Sequence, residues 1–177
     1  MHNLAKVVLL LAVVLVLQAC GITVHQGQRG VRWNLFTGGV TTETLKSGFY
    51  WRAPWNYIDV YNVQWRNYAE TVYALSSDDL PVNIKTVILV RPTPDELSNL
   101  AQHVGSDFYL RVVKPELLAA VRIAVSNYPM VTVVEHSNEI ASQVEAVVAE
   151  KLKGRHLQVA SVTMVNIELA NVFSPSL

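Results

Sequence analysis

The side chains in this sequence that could do chemistry on their own are one thiol, five imidazoles and one pair of adjacent carboxylates. Cys20 is the sole cysteine. It follows an uninterrupted apolar run from Val7 to Leu17 and the small residue Ala19, a setting in which the thiol can act as the nucleophile that takes up a lipid. Committed there, it leaves no second cysteine for a disulfide. The histidines, His2, His25, His103, His136 and His156, fall in different elements, and none has the His-Glu-x-x-His spacing that sets two imidazoles on one helix face. No metal site and no cofactor is indicated. His103, near the end of a helix closing at Gly105, suits a hydrogen bond to that helix's last carbonyls. Asp78 and Asp79 could form an acid/base pair, but within Ser76-Ser77-Asp78-Asp79 they read as turn formers. Gly27-x-x-Gly30 is a turn between strands, and no nucleophile elbow, phosphate loop or dinucleotide fingerprint occurs. The expectation is a protein that is not an enzyme, with no catalytic, cofactor-binding or metal residues and with Cys20 as a lipid attachment point.

What positions Cys20 is the segment before it. Lys6 precedes an apolar stretch of signal-peptide length, and residues 1–19 are read as a signal peptide or signal anchor. Leu17-Gln18-Ala19-Cys20 looks like the lipobox of bacterial lipoproteins, in which small residues fit the peptidase pocket and the acylated cysteine opens the mature chain. The alternative is an uncleaved anchor from Val7 to Val24, which would have to tolerate Gln18 in a thin bilayer. Both place the body on the periplasmic or extracellular side of a bacterial membrane, because the leading charge is Lys6.

Removing the first segment leaves roughly 155 residues, enough for one domain or two small ones sharing a core. Fourteen cations balance fourteen anions and no two basic residues are adjacent, so no nucleic-acid partner is expected. Residues 20–177 are read as a single domain without linkers or repeats.

From Ile22 to Val40, alternating residues around Gly27, Gly30 and Thr37-Gly38-Gly39 predict a small β-meander. Phe49-Tyr50-Trp51-Arg52-Ala53-Pro54-Trp55 concentrates aromatic residues, read either as filling for a small sheet, the preferred expectation, or as a belt touching lipid headgroups. Tyr57 to Leu75 is strand-like. After the turn, Val82, Ile84, Thr86, Ile88 and Val90 point one way while Asn83, Lys85 and Arg91 point the other. The period then becomes helical. Thr93 is a plausible N-cap with Pro94 at the first helical position, a second helix starts at Ser106 and must kink or restart at Pro115, and Leu117, Leu118, Val121, Ala124 and Val125 form a stripe that should lie on the sheet. Tyr128-Pro129 breaks that helix. Another, through Ile140, Val144, Val147, Val148 and Leu152, should close at Gly154. His156 to Leu169 carries apolar residues at both parities, which predicts an inner strand covered on both faces.

The order of several motifs resembles the band 7, or SPFH, family of stomatin, prohibitin and flotillin, with the prohibitin branch closest. They are Gly27-Gln28-Arg29-Gly30-Val31, Gly48-Phe49-Tyr50-Trp51 with Pro54-Trp55, Ser77-Asp78-Asp79-Leu80-Pro81-Val82, Val90-Arg91-Pro92, Val104-Gly105-Ser106-Asp107-Phe108-Tyr109 and Val112-Val113-Lys114-Pro115. The resemblance implies an α+β fold, a twisted and mostly antiparallel sheet followed by helices on a second small sheet. It also implies a membrane-anchored scaffold that self-associates and organises membrane lipids or partner proteins such as a membrane protease. Family members usually continue into a long charged helix, which the sequence to Leu177 does not contain, so a domain lacking the C-terminal coiled coil is expected. The alternative function is a monomeric periplasmic lipoprotein that binds a ligand or modulates an envelope hydrolase.

Overall fold

A computed structural model of the chain describes residues 6, 21–34, 36, 38–53 and 55–169. Cys20 and the apolar run before it lie outside the described residues. The chain divides between Val63 and Gln64 into two compact units.

From Gly21 to Val63 the described elements of the first unit are strands. Strands β1 (Gly21–Val24), β2 (Gln28–Asn34), β3 (Gly39–Leu45), β4 (Gly48–Trp51) and β5 (Asn56–Asn62) make two antiparallel sheets, β1-β4 and β3-β2-β5. The expected meander is replaced by a sheet in which β2 is the middle strand and β5 returns to its free side. Gly27 supports the β1–β2 turn at φ 79°, where Gln28 N–H donates to His25 O at 3.1 Å. The fully buried apolar side chains here are Val24, Val31, Ile58 and Tyr61. Burial and the neighbouring Asp59 charge push the Tyr61 hydroxyl up to about 12.

The strand-like stretch from Tyr57 to Leu75 is interrupted between β5 and β6 (Arg66–Leu75), and this break is the unit boundary. In the second unit β6 pairs with β7 (Pro81–Pro92), and β7 pairs with β8 (Leu157–Leu169), all antiparallel. β7 behaves as its alternation predicts: Val82, Ile84, Thr86 and Ile88 are fully buried, Val90 nearly so, and Lys85 is exposed. Each such Val or Ile contributes about 1.5–3 kcal/mol through the apolar area it removes from water. Pro92 is tolerated in this middle strand because β6 ends opposite Val90 and leaves its missing N–H without a partner to lose.

β8 is an edge strand rather than the expected inner one. Its apolar residues at both parities have a different cause: the register skips Ala160 and again Val165, so two bulges each shift the parity by one residue. The residues opposite Pro92, Val90, Ile88, Thr86, Ile84 and Val82 are Leu157, Val159, Val162, Met164, Ile167 and Leu169, a single apolar face. The exposed edge is partly covered by Glu145, whose carboxylate accepts the Val162 N–H at 3.1 Å.

Among the described residues, four α-helices complete the unit: α1 (Leu97–His103), α2 (Lys114–Val125), α3 (Met130–Glu135) and α4 (Ser137–Lys153). Leu117, Val121, Ala124 and Val125 of α2 are buried as expected, as are Ile140, Val144, Val148 and Leu152 of α4, whereas Val147 is exposed. Thr93 precedes a 3₁₀ turn over Pro94–Glu96 but its hydroxyl makes no cap. Pro115 does not break the chain. A π-helical turn over Tyr109–Val113 ends with Lys114 N–H donating to Tyr109 O, and the extra residue frees Pro115 from the clash a straight α-helix would impose. Gly154 ends α4 at an ordinary helical φ of −69°, and His156 takes the left-handed conformation instead, at φ 63°.

Candidate interaction site

The site begins with β1 and β4, because the first described residues after Cys20 pair with the aromatic strand. Gly21 lies opposite Trp51 and Thr23 opposite Phe49. Strand alternation puts Phe49 and Trp51 on one side of β4 and Tyr50 on the other, where its hydroxyl donates to Lys46 O at 2.9 Å. Phe49 is 58% exposed and Trp51 60%, with their rings edge-on at 5.6 Å. The expectation that these aromatics fill a core is therefore overturned. A four-residue strand pairing with a four-residue partner buries its backbone, and the unit's interior is already supplied by Val24, Val31, Ile58 and Tyr61.

A second aromatic group lies at the β2–β3 and β4–β5 connections. Phe36 and Trp55 meet at 6.1 Å, both exposed, and Tyr57 is exposed beside them in sequence. A cavity of about 430 Å³ is lined by Trp33, Arg52, Trp55, Asn56 and Tyr57 among others. The first unit thus presents aromatic rings with the cation of Arg52 nearby, a combination suited to an interface between water, charge and hydrocarbon.

The remaining residues singled out from sequence are dispersed. Asp78 and Asp79 are turn residues, Asp79 at φ 58°. Asp78 does more than face solvent, since it accepts the Ser76 hydroxyl and the Met130 N–H at the start of α3. Those two donors hold its carboxyl below the usual carboxylate range. His25 lies in the β1–β2 turn and His136 follows α3, its Nδ1 donating to Thr132 O at 3.0 Å. His103 bonds a carbonyl of its own helix as expected, Asn99 O at 2.9 Å. The fold brings His103 to His156, with ring centres 6.1 Å apart, a proximity that no sequence spacing announced. Among the described residues no group of three or more His, Cys, Asp or Glu is placed to hold a metal, and no helix is long and apolar enough to cross a membrane.

Residues 22–177 match the profile of the SPFH domain / Band 7 family. The chain belongs to that family. Mitochondrial prohibitin complex protein 1 of Caenorhabditis elegans is 32% identical over 124 residues, covering 68% of this chain and 43% of that protein. Prohibitin-2 of Mus musculus is 24% identical over 154 residues, covering 86% of this chain and 51% of its own length, and Prohibitin-2 of Gallus gallus is similar to the same degree. The chain therefore spans about half the length of the curated relatives it matches.

In this SPFH domain the motif residues that carried the resemblance have physical tasks. Gly105 turns the chain at φ 91°, and Val104 O accepts from Arg111 Nη1 at 3.0 Å. The π turn that follows carries Tyr109 onto Tyr68 of β6, the rings stacked at 3.8 Å. It also places the Tyr109 hydroxyl 2.7 Å from one oxygen of Glu70, while Lys114 Nζ reaches the other at 2.9 Å. Burial alone would raise the Glu70 carboxyl, but the bonds from Lys114 and Tyr109 and the Lys114 charge hold it below the usual range. Burial and the same carboxylate push the Tyr109 hydroxyl well up. This cluster fastens the helical layer to β6.

Proposed function

We propose that this SPFH-domain chain is a membrane-anchored, prohibitin-like scaffold that assembles at a bacterial membrane with its body on the periplasmic or extracellular side. The observation that carries the reading is the pairing of Gly21 with Trp51. Gly21–Val24 is paired as a strand, so an uncleaved anchor would have to end before Gly21 rather than at Val24; with that shorter anchor, or with acyl groups on the adjoining Cys20, strand β1 starts at the membrane surface. Its partner β4 then brings Phe49 and Trp51 to the depth where aromatic side chains are favoured. Lys46 and Arg52 flank that strand and suit anionic headgroups.

Self-association is supported by exposed apolar residues on the helical layer: Leu110, Ile123, Val131 and Val134. The C. elegans relative is named as a protein of a complex. A lipid tether would confine such weak contacts to two dimensions and raise their effective concentration. The partner classes that fit are membrane lipids, further copies of the chain and an integral membrane protein such as a protease.

Vesicle flotation and sedimentation test this. The full chain should carry a fatty-acid label and cluster on vesicles, Cys20→Ser should remain an unlabelled precursor, and residues 21–177 alone should be monomeric or in weak exchange at micromolar concentration. A chain that stays monomeric on crowded vesicles would favour the ligand-binding lipoprotein. An unlabelled wild type of unchanged gel mobility would favour the uncleaved anchor.

A further inference from the structure

We infer, resting on the membrane anchoring proposed above, that the cavity lined by Trp33, Asn34, Arg52, Trp55, Asn56 and Tyr57 holds the headgroup of a single anionic phospholipid, a phosphodiester that carries hydroxyls and no amine. Arg52 is the one cation of the described lining, which contains no carboxylate, and among the described residues it makes no ion pair. Its planar fork of donors matches a phosphodiester. Asn34 Oδ1 accepts the Phe36 N–H at 2.9 Å, which fixes the amide and leaves Nδ2 to donate. Two further polar atoms of the lining residues, Trp33 Nε1 and Asn56 Oδ1, are buried without a hydrogen-bond partner. The first is a donor of the kind a phosphate oxygen takes, the second an acceptor of the kind a headgroup hydroxyl takes. An ethanolamine or choline headgroup would instead bring an ammonium beside Arg52 with no acid to pair it.

The strand connections put this cavity at the anchored end of the first unit. Gly21, next to Cys20, pairs with Trp51, the last residue of β4. A short turn, in which Asn56 N–H donates to Ala53 O at 2.9 Å, then opens β5. Asn56, the first residue of β5, pairs with Asn34, the last of β2, and Asn34 pairs in turn with Gly39, the first of β3. The start of β1, the end of β4, the start of β5 and the β2–β3 connection therefore share one end of the unit.

That position separates a lipid from a phosphate ion in water. Phe36 and Trp55 stand at the same end with ring centres 6.1 Å apart, 80% and 50% exposed. A free phosphate would use Arg52 and the amides and leave these rings in water, whereas a lipid lays its glycerol and first acyl carbons against them, at the depth aromatic side chains favour. The volume, about 430 Å³, lies within the range of about 300–1,000 Å³ found for small-molecule sites.

The full chain in phosphatidylcholine nanodiscs, given rising mole fractions of phosphatidylglycerol while the indole N–H signals are followed by NMR, tests the site. Trp33 and Trp55 should shift on one saturating curve while Trp65 stays in place, and phosphatidylethanolamine should produce no such curve. Arg52→Gln should raise the fraction needed for half-saturation at least tenfold, whereas Arg29→Gln, which removes a cation of the same unit outside the lining, should leave it unchanged. Inorganic phosphate added to phosphatidylcholine discs should reproduce neither shift; an equal response to it would overturn the lipid assignment in favour of a free-anion site. A response linear in phosphatidylglycerol content, or one weakened alike by Arg52→Gln and Arg29→Gln, would overturn the site and leave only a charged surface. Paramagnetic broadening of the Trp51 signal by headgroup-labelled phosphatidylcholine reports the membrane contact separately. Broadening without a saturable shift removes the site and keeps the membrane reading, and absence of broadening removes both.

Discussion

The ring of Phe49 lies over the α-carbon of Gly21, so close that a β-carbon at residue 21 would overlap ring atoms Cζ and Cε2. Gly21→Val should therefore push the ring aside. Phe49 is more than half exposed, so the ring has somewhere to go, and stability should change by only about 0.5 kcal/mol. The denaturant midpoint should stay in place while the near-ultraviolet signal of the Phe49–Trp51 pair changes. Phe49→Ser combined with Trp51→Ser should likewise leave the fold intact and weaken binding to anionic vesicles; equal vesicle binding would remove these aromatics from the membrane contact.

Ile88 is fully buried in the middle of β7, between Tyr68 and Val162. Ile88→Ala should cost about 2–5 kcal/mol in urea unfolding, because the neighbouring strands cannot collapse into the void. Lys85→Ala, on the opposite face, should be nearly silent.

Thr86 shares the buried face with Ile88, and its hydroxyl has no hydrogen-bond partner. Thr86→Val keeps the shape and removes an unpaired polar group, so it should stabilise the protein by about 1 kcal/mol in the same assay. Destabilisation would show that the hydroxyl is paired in solution.

Asp78 ties the β6–β7 turn to α3 by accepting from Ser76 and from the Met130 N–H. Its folded carboxyl titrates below the free value, so its stabilisation is in place above pH about 4 and fades as pH falls through the lower folded value. Asp78→Asn should thus be less stable than wild type at neutral pH, and the two melting temperatures should converge in acid. A gap independent of pH would assign the effect to shape rather than charge.

Glu145 occupies the edge of β8 by accepting the Val162 N–H. Glu145→Ala should lose roughly 1 kcal/mol. It should also leave an unpaired strand edge, and light scattering should report increased self-association.

The parts of the fold legible from sequence were those where one local rule acted alone. β7 alternates strictly because β6 runs beside it in unbroken register and the two irregularities with β8 are carried by β8, and α2 and α4 show their stripes because each buries one side. β8 was misread because Ala160 and Val165 each displace the pattern, and apolar residues at mixed parity look the same whether a strand has two covered faces or one face interrupted twice. The aromatics around Trp51 were assigned inward because composition carries no information about whether a layer exists to cover them. His103 and His156 meet only through the left-handed turn after α4, and that conformation falls on a residue type that does not advertise it.

Each bulge of β8 behaves like a spare tooth that the ladder steps over. Loss of Ala160 alone would leave Val159 opposite Val90 and Ser161 opposite Leu89, so every later side chain would keep its side; loss of Val165 would likewise leave Met164 opposite Thr86 and Asn166 opposite Lys85. Either deletion is thus conservative by itself, and length variation among related domains should appear here one residue at a time.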